Sequence, residues 1–165
     1  MKIVTDSAAD LTPEDISEGG VIVAPLMIQF PEGEKASSEL TPDEFYNRLT
    51  AMQPQIPTTA QPSGGMLWQI YEDAASQGDD VLAIHISSGL SGTAVTAQGA
   101  AERTENGRVT IFDSLTLSGG QRFQVLTAVK AIQAGWSLER ILERLDALRK
   151  ATEVVFTLET LTYLQ

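Results

Sequence analysis

Short apolar runs recur along the chain, and each closes on polar or glycine-rich residues. Lys2-Ile-Val-Thr-Asp6 reads as a first strand, and Val21 to Pro25 and Leu26 to Phe30 read as extended segments joined by a proline break. Pro31-Glu-Gly-Glu34 reads as a turn. Val81 to Ile86 is apolar on both faces, as a parallel strand covered by helices should be. Arg108 to Phe112 and Glu153 to Leu158 complete the predicted strands. Between them the period changes to that of helices. Thr12 before Pro13 and Thr41 before Pro42 fit N-caps with proline at the first helical position, and the first of these helices stops near Gly19-Gly20. In the second, Phe45, Leu49 and Met52 recur at helical spacing and are expected to face the core. Ser63 caps a predicted helix to about Ser76, with Leu67, Ile70 and Tyr71 inward. Further helices are predicted over Ala94 to Arg103, Leu117 to Ala134, and from the Ser137 cap to Lys150, the last with the stripe Leu138, Ile141, Leu142, Leu145 and Leu148.

Strands alternating with helices predict an α/β fold: a mostly parallel sheet with helices on both faces. One stretch breaks the alternation. Gln53 to Ser63 holds Pro54, Pro57 and Pro62, which forbid a helix or a central strand and leave a stiff, extended connector carrying Thr58 and Thr59.

The 165 residues suit one domain. A formal net charge of −11 disfavours a nucleic-acid partner, so any anionic ligand has to be held by local donors and dipoles. No apolar run is long enough to span a membrane. There is no cysteine, which excludes disulfides and thiolate chemistry. Met1-Lys-Ile-Val leads into a strand without a basic-then-apolar leader, and the expected location is cytoplasmic. With one histidine and no cysteine a zinc site cannot be assembled, no calcium-loop pattern occurs, and neither metal nor cofactor is expected.

The candidate chemistry lies where strands end. Asp6-Ser7, Ser87-Ser88 and Asp113-Ser114 each follow a predicted strand, and in a parallel sheet those ends share one edge, where ligands of open α/β sheets bind. The most specific stretch is His85-Ile-Ser-Ser-Gly-Leu-Ser-Gly-Thr93. Its hydroxyls (Ser88, Ser91, Thr93) and glycines (Gly89, Gly92) stand where a helix begins, an arrangement suited to an anion. It lacks the lysine of a P-loop and the third glycine of a dinucleotide fingerprint. Gly89-Leu-Ser-Gly-Thr93 misses the last glycine of a nucleophile elbow. A serine hydrolase using Ser91 and His85 is the alternative reading, although His85 sits within the strand and reads more simply as a core histidine; a phosphate-binding module is a third. Asp6 and Asp113 are expected to bind backbone N–H groups of neighbouring loops, supporting the rim together with Ser7, Ser114 and His85.

The chain resembles the DegV family. The likeness is carried by Lys2-Ile-Val-Thr-Asp-Ser-Ala-Ala-Asp-Leu11, Pro25 to Phe30, Pro57-Thr-Thr-Ala-Gln-Pro-Ser63, His85 to Thr93, Val109 to Ser114 and Leu158 to Leu164, in the family's order. The resemblance implies a binding protein and not an enzyme: a carrier of a long-chain fatty acid, which it presents to a fatty-acid kinase subunit for phosphorylation. It implies that Thr59 and Ser91 hydrogen-bond the carboxylate, helped by backbone N–H groups around Ser91 and Gly92. Two departures stand out. Ala60 occupies a position where the family usually has serine, and the family's Gly-Gly-Arg stretch and second domain lie beyond residue 165. Residues 1–165 are therefore expected to form one α/β domain, the first of a longer two-domain protein, with the acyl tail between the two.

Overall fold

The computed structural model describes residues 1–157. Its elements, in order, are β1 (Lys2–Asp6), α1 (Pro13–Gly19), β2 (Val21–Ala24), β3 (Met27–Phe30), β4 (Gly33–Ala36), α2 (Pro42–Ala51), β5 (Thr58–Ala60), α3 (Gly64–Ala75), β6 (Val81–His85), α4 (Thr93–Ala101), β7 (Val109–Asp113), α5 (Ser118–Gln133) and α6 (Leu138–Ala151). Four strands form a parallel sheet in the order β2-β1-β6-β7, and β4-β3-β5 form a separate antiparallel sheet.

Alternation along the parallel strands divides the core in two. Ile3, Leu82, Ile84 and Phe112 pack with Val125, Ala128 and Val129 of α5 and Ile141 and Leu145 of α6. Val4, Val81 and Ala83 turn the other way, onto Leu67, Tyr71 and Ala74 of α3 and Ala97 and Ala100 of α4. Every residue of β6 is buried, because its strand has neighbours on both sides and helices on both faces. The fold is thus α/β with a mostly parallel sheet and helices on both faces, as the alternation predicts.

Local caps set the helix starts. Thr12 with Asp15 and Thr41 with Glu44 form reciprocal capping boxes, each followed by proline. Ser63 accepts from the Met66 N–H, and Ser137 from the Arg140 N–H. Gly20, left-handed at φ 59°, ends α1.

Three expectations need correction. The segment beginning at Pro31 is more than a turn: Pro31-Glu32 is a tight connection, and Gly33–Ala36 returns as β4, with Phe30 opposite Gly33. Only the pairing partner β3 makes that polar run a strand. Phe45, Leu49 and Met52 do not enter a core; they are half-buried and α2 has no buried residue. This helix flanks the small sheet, where Arg48 lies over the Phe30 ring at 5.2 Å and pairs with Glu32. Residues 153–157 form no strand and are exposed, because no described strand lies beside them to take their hydrogen bonds. Leu158 and the closing Glu159 to Gln165 lie outside the described residues.

Candidate functional site

Parallel register brings the polar strand ends together. Asp6 of β1 lies opposite Ala24, Thr5 opposite Ile84, and His85 opposite Asp113, so all four parallel strands finish on one edge, three of them with polar residues. The Asp6 carboxylate is the hub of this edge. Its Oδ2 accepts from the Ile86 N–H and from His85 Nδ1, each at 2.9 Å, and its Oδ1 accepts from the Ala8 N–H and from Gln121 Nε2, each at 3.1 Å. Asp6 and His85 are fully buried, a placement a carboxylate tolerates only when its lone pairs are taken up. With Asp6 taking the hydrogen on Nδ1, His85 Nε2 accepts from the Tyr71 hydroxyl at 2.7 Å. Burial first, and then the Asp6 charge, push the Tyr71 hydroxyl's pKa well above its ordinary value, so it stays a donor.

A second carboxylate ties the outer loops. Asp113 Oδ1 accepts from the Ser88 N–H at 3.1 Å and the Leu115 N–H at 3.0 Å. Ser114, buried, turns its hydroxyl back to the Thr116 carbonyl, and its N–H donates to the His85 carbonyl. Ser7 Oγ accepts from the Leu26 N–H at 3.0 Å and meets Ser37, linking the parallel sheet to the small one.

The loop after β6 turns tightly: the Leu90 and Ser91 N–H groups both donate to the Ser87 carbonyl. Ser91 Oγ lies 2.8 Å from Thr93 Oγ1 and accepts from the Thr93 N–H. Gly92 is the N-cap of α4 and offers no side-chain cap, so beyond Thr93 the first-turn N–H groups have no capping hydroxyl. Opposite stands β5. It pairs through Thr59 with Ile28, and its connector reaches back through Gln61, whose amide N–H donates to the Thr96 hydroxyl of α4.

Between loop and connector lies a cleft of about 420 Å³ lined by Thr59, Ala60, Gln61, Ser91, Gly92, Leu26, Ile86 and Leu90. Three of the residues expected to bind ligand, Thr59, Ser91 and Gly92, therefore share one cavity although far apart in sequence. Ser88 and Thr93 do not line it. Ser88 faces a shallow groove with Asp113, Ala94 and Val95, and Thr93 is buried beneath Ser91. Asp6 and Ser7 line another cavity, with Ser37, Ser38, Leu11 and Val23. Gln61, Gln121 and the apolar wall of Leu26, Ile86 and Leu90 were not anticipated. Gln61 stands inside the Pro57–Ser63 motif, and its place there was the one available signal; for Gln121, within a helical period, there was none.

This geometry offers donors to an anion beside an apolar wall, and it does not assemble a nucleophile. Both ring nitrogens of His85 are engaged by Asp6 and Tyr71, and the Ser91 hydroxyl pairs with Thr93. Among the described residues no cluster of three or more His, Cys, Asp or Glu side chains could hold a metal ion, and no helix is long and apolar enough to cross a membrane.

Fold and cleft together define a parallel α/β domain with a pocket of hydroxyl, amide and apolar side chains at the carboxyl edge of its sheet. The DegV family pattern, described as that of an uncharacterised protein, matches residues 1–165, and the chain belongs to that family. It is 38% identical over 165 residues to a DegV domain-containing protein of Deinococcus radiodurans, covering 99% of this chain and 58% of that protein. Over 162 residues it is 33% identical to one of Streptococcus pneumoniae, covering 98% and 57%. The chain thus spans little more than half the length of these relatives. Among solved structures, DegV of Bacillus subtilis, described as a fatty acid binding protein, superposes with a TM-score of 0.85 at 34% identity, over 90% of this chain and 53% of that one. A DegV family protein of Thermus thermophilus, described by its fatty acid binding, gives 0.82 at 36%, over 90% and 53%. A stearic acid-binding protein of Eubacterium ventriosum gives 0.82 at 27%, over 88% and 52%.

Proposed function

We propose that this chain binds the carboxylate end of a long-chain fatty acid. The observation that carries the proposal is the shared cleft: Thr59, Ser91 and Gly92 on opposite walls, with Leu26, Ile86 and Leu90 beside them. The Thr59 and Ser91 hydroxyls donate to the carboxylate, with N–H groups of the α4 N-terminus behind them. Ser91 donates outward while accepting from Thr93, whose hydroxyl and N–H both lie within reach. Each charge-assisted hydrogen bond contributes about 1.5–3 kcal/mol. Burial of the tail contributes about 0.8 kcal/mol per methylene, so the tail supplies most of the affinity and the hydroxyls supply orientation. Solved relatives described as fatty acid binding support the choice of ligand.

The same reading makes the chain a carrier without catalysis or cofactor, acting in the cytoplasm and presenting the fatty acid to a kinase subunit. It makes residues 1–165 the first of two domains. Leu90, Leu115 and Phe123 are exposed around the sheet's carboxyl edge, on the side where a second domain would close over the acyl tail.

Mass spectrometry of lipid co-purified with the chain is expected to find a fatty acid. Thr59→Val and Ser91→Ala are each expected to weaken oleate binding about tenfold or more. Protein that is free of lipid and takes up neither oleate nor palmitate would remove the proposal, and unchanged affinity in both variants would remove the head-group site.

A further inference from the structure

The two walls of the cleft come from different sheets. Thr59 belongs to the small antiparallel sheet, whereas Ser91 and Gly92 follow the central strand of the parallel one. A carboxylate gripped from both walls requires a fixed gap between them, and one side chain spans that gap. Gln61 lies two residues past Thr59, and its amide N–H donates to the Thr96 hydroxyl, which sits one turn into α4. Its amide also lies directly against Gly92: a methyl group added there would collide with Gln61 Oε1 and stand 3.2 Å from Gln61 Cδ. Glycine at position 92 lets the exposed Gln61 amide pack this closely, and a side chain there would push the amide away from its seat. On one side Pro62 is buried, and on the other Ala60 pairs with Met27, so the backbone carrying Gln61 has little freedom to drift.

We propose that Gln61 is a positioning residue. Seated on Gly92 and bonded to Thr96, it sets the spacing between the Thr59 hydroxyl and the Ser91–Gly92 donors, and so the selectivity for an ionised carboxylate over a neutral head group. The inference rests on the head-group site proposed above, but its structural part stands without a ligand. The Gln61 amide does not itself need to touch the carboxylate. Loss of the bridge removes one side-chain tie between β5 and the α4 N-terminus and loosens the spacing of the two walls, which weakens a ligand held by both and spares one held by its tail.

The test uses Gln61→Ala and Thr96→Val, which remove the bridge from either end, and Thr96→Ser, which keeps the hydroxyl. In the ligand-free chain, amide hydrogen exchange is expected to quicken about fivefold or more at positions 93 and 96 in the first two variants, with the urea midpoint unchanged. Oleate binding is expected to weaken about tenfold in both, with oleyl alcohol affected less than about twofold and Thr96→Ser behaving as the parent. Unaltered exchange in both variants overturns the proposal. So does equal weakening of oleate and oleyl alcohol, which would mark a general packing role. If the parent chain refuses oleate while exchange still quickens, the fatty-acid reading fails and the positioning role of Gln61 stands.

Discussion

Asp6→Ala is the most severe single change the site should register. The carboxylate is fully buried and takes hydrogen bonds from the Ala8 and Ile86 N–H groups, His85 Nδ1 and Gln121 Nε2. Truncation removes every one of these acceptors at once. An unpaired buried donor costs about 1–3 kcal/mol on its own, but the four share one small volume and relax together, so separate penalties do not add. The fitting scale is the rupture of a buried charged cluster, about 3–5 kcal/mol. At about 2–4 °C per kcal/mol for a domain of this size, the melting temperature should fall by about 6–20 °C. Urea denaturation followed by tryptophan fluorescence measures the loss directly, provided that the slope of the transition stays unchanged. A destabilisation below about 1 kcal/mol would refute the view that Asp6 organises the edge of the sheet.

Tyr71→Phe strands the His85 Nε2 acceptor without disturbing Asp6; a loss of about 1–3 kcal/mol is expected in the same urea assay, and a neutral result would mean that water replaces the hydroxyl. Gly107→Ala forces a methyl to within 2.5 Å of the Asp79 carbonyl oxygen and 3.1 Å of the Ala75 Cβ, so a cost of about 1–3 kcal/mol is expected; a stabilised variant would contradict the close approach. Asp15 and Glu44 are each held below their ordinary values of 3.8 and 4.5, first by the N–H groups of Thr12 and Thr41. A carboxylate whose pKa is depressed on folding stabilises the fold above its unfolded pKa and loses that contribution as pH falls through the folded one. Both capping boxes should therefore be intact at neutral pH and open only below the ordinary carboxylate range. Side-chain NMR titration midpoints at or above 3.8 and 4.5 would contradict this.

Much of the candidate site was legible because its signals are local. Ser91, Gly92 and Thr93 come after a fully buried, mostly apolar strand and open a helix, and that order alone puts donors at a helix start. Thr59 could be chosen only through the family likeness, since nothing near it says which strand it will pair with. The distinction between Ser91, which lines the cleft, and Thr93, which is buried under it, depends on the turn made by Ser87 and Leu90. His85 shows the same limit. Its place in an apolar strand suggests burial, but its partners Asp6 and Tyr71 are 79 and 14 residues away.

By itself the sequence determined the helices and the strands of the parallel sheet, in order: capping threonines and serines before helices, prolines at first turns, and apolar periods of two and of 3.6 residues act over a few positions and need no partner. Alternation also decided that the main sheet would be parallel and covered on both faces. Tertiary structure alone decided the rest. Gly33–Ala36, polar and unremarkable as a run, became a strand because β3 offered it hydrogen bonds, whereas the β-prone residues 153–157 found no described partner and formed none. Helix α2 carries a helical stripe that never reaches a core. The cleft itself exists only because the small sheet folds back toward the parallel one, so that Gln61 comes to rest on Gly92. Contacts between residues some thirty positions apart are set by packing and loop closure, which no local pattern encodes.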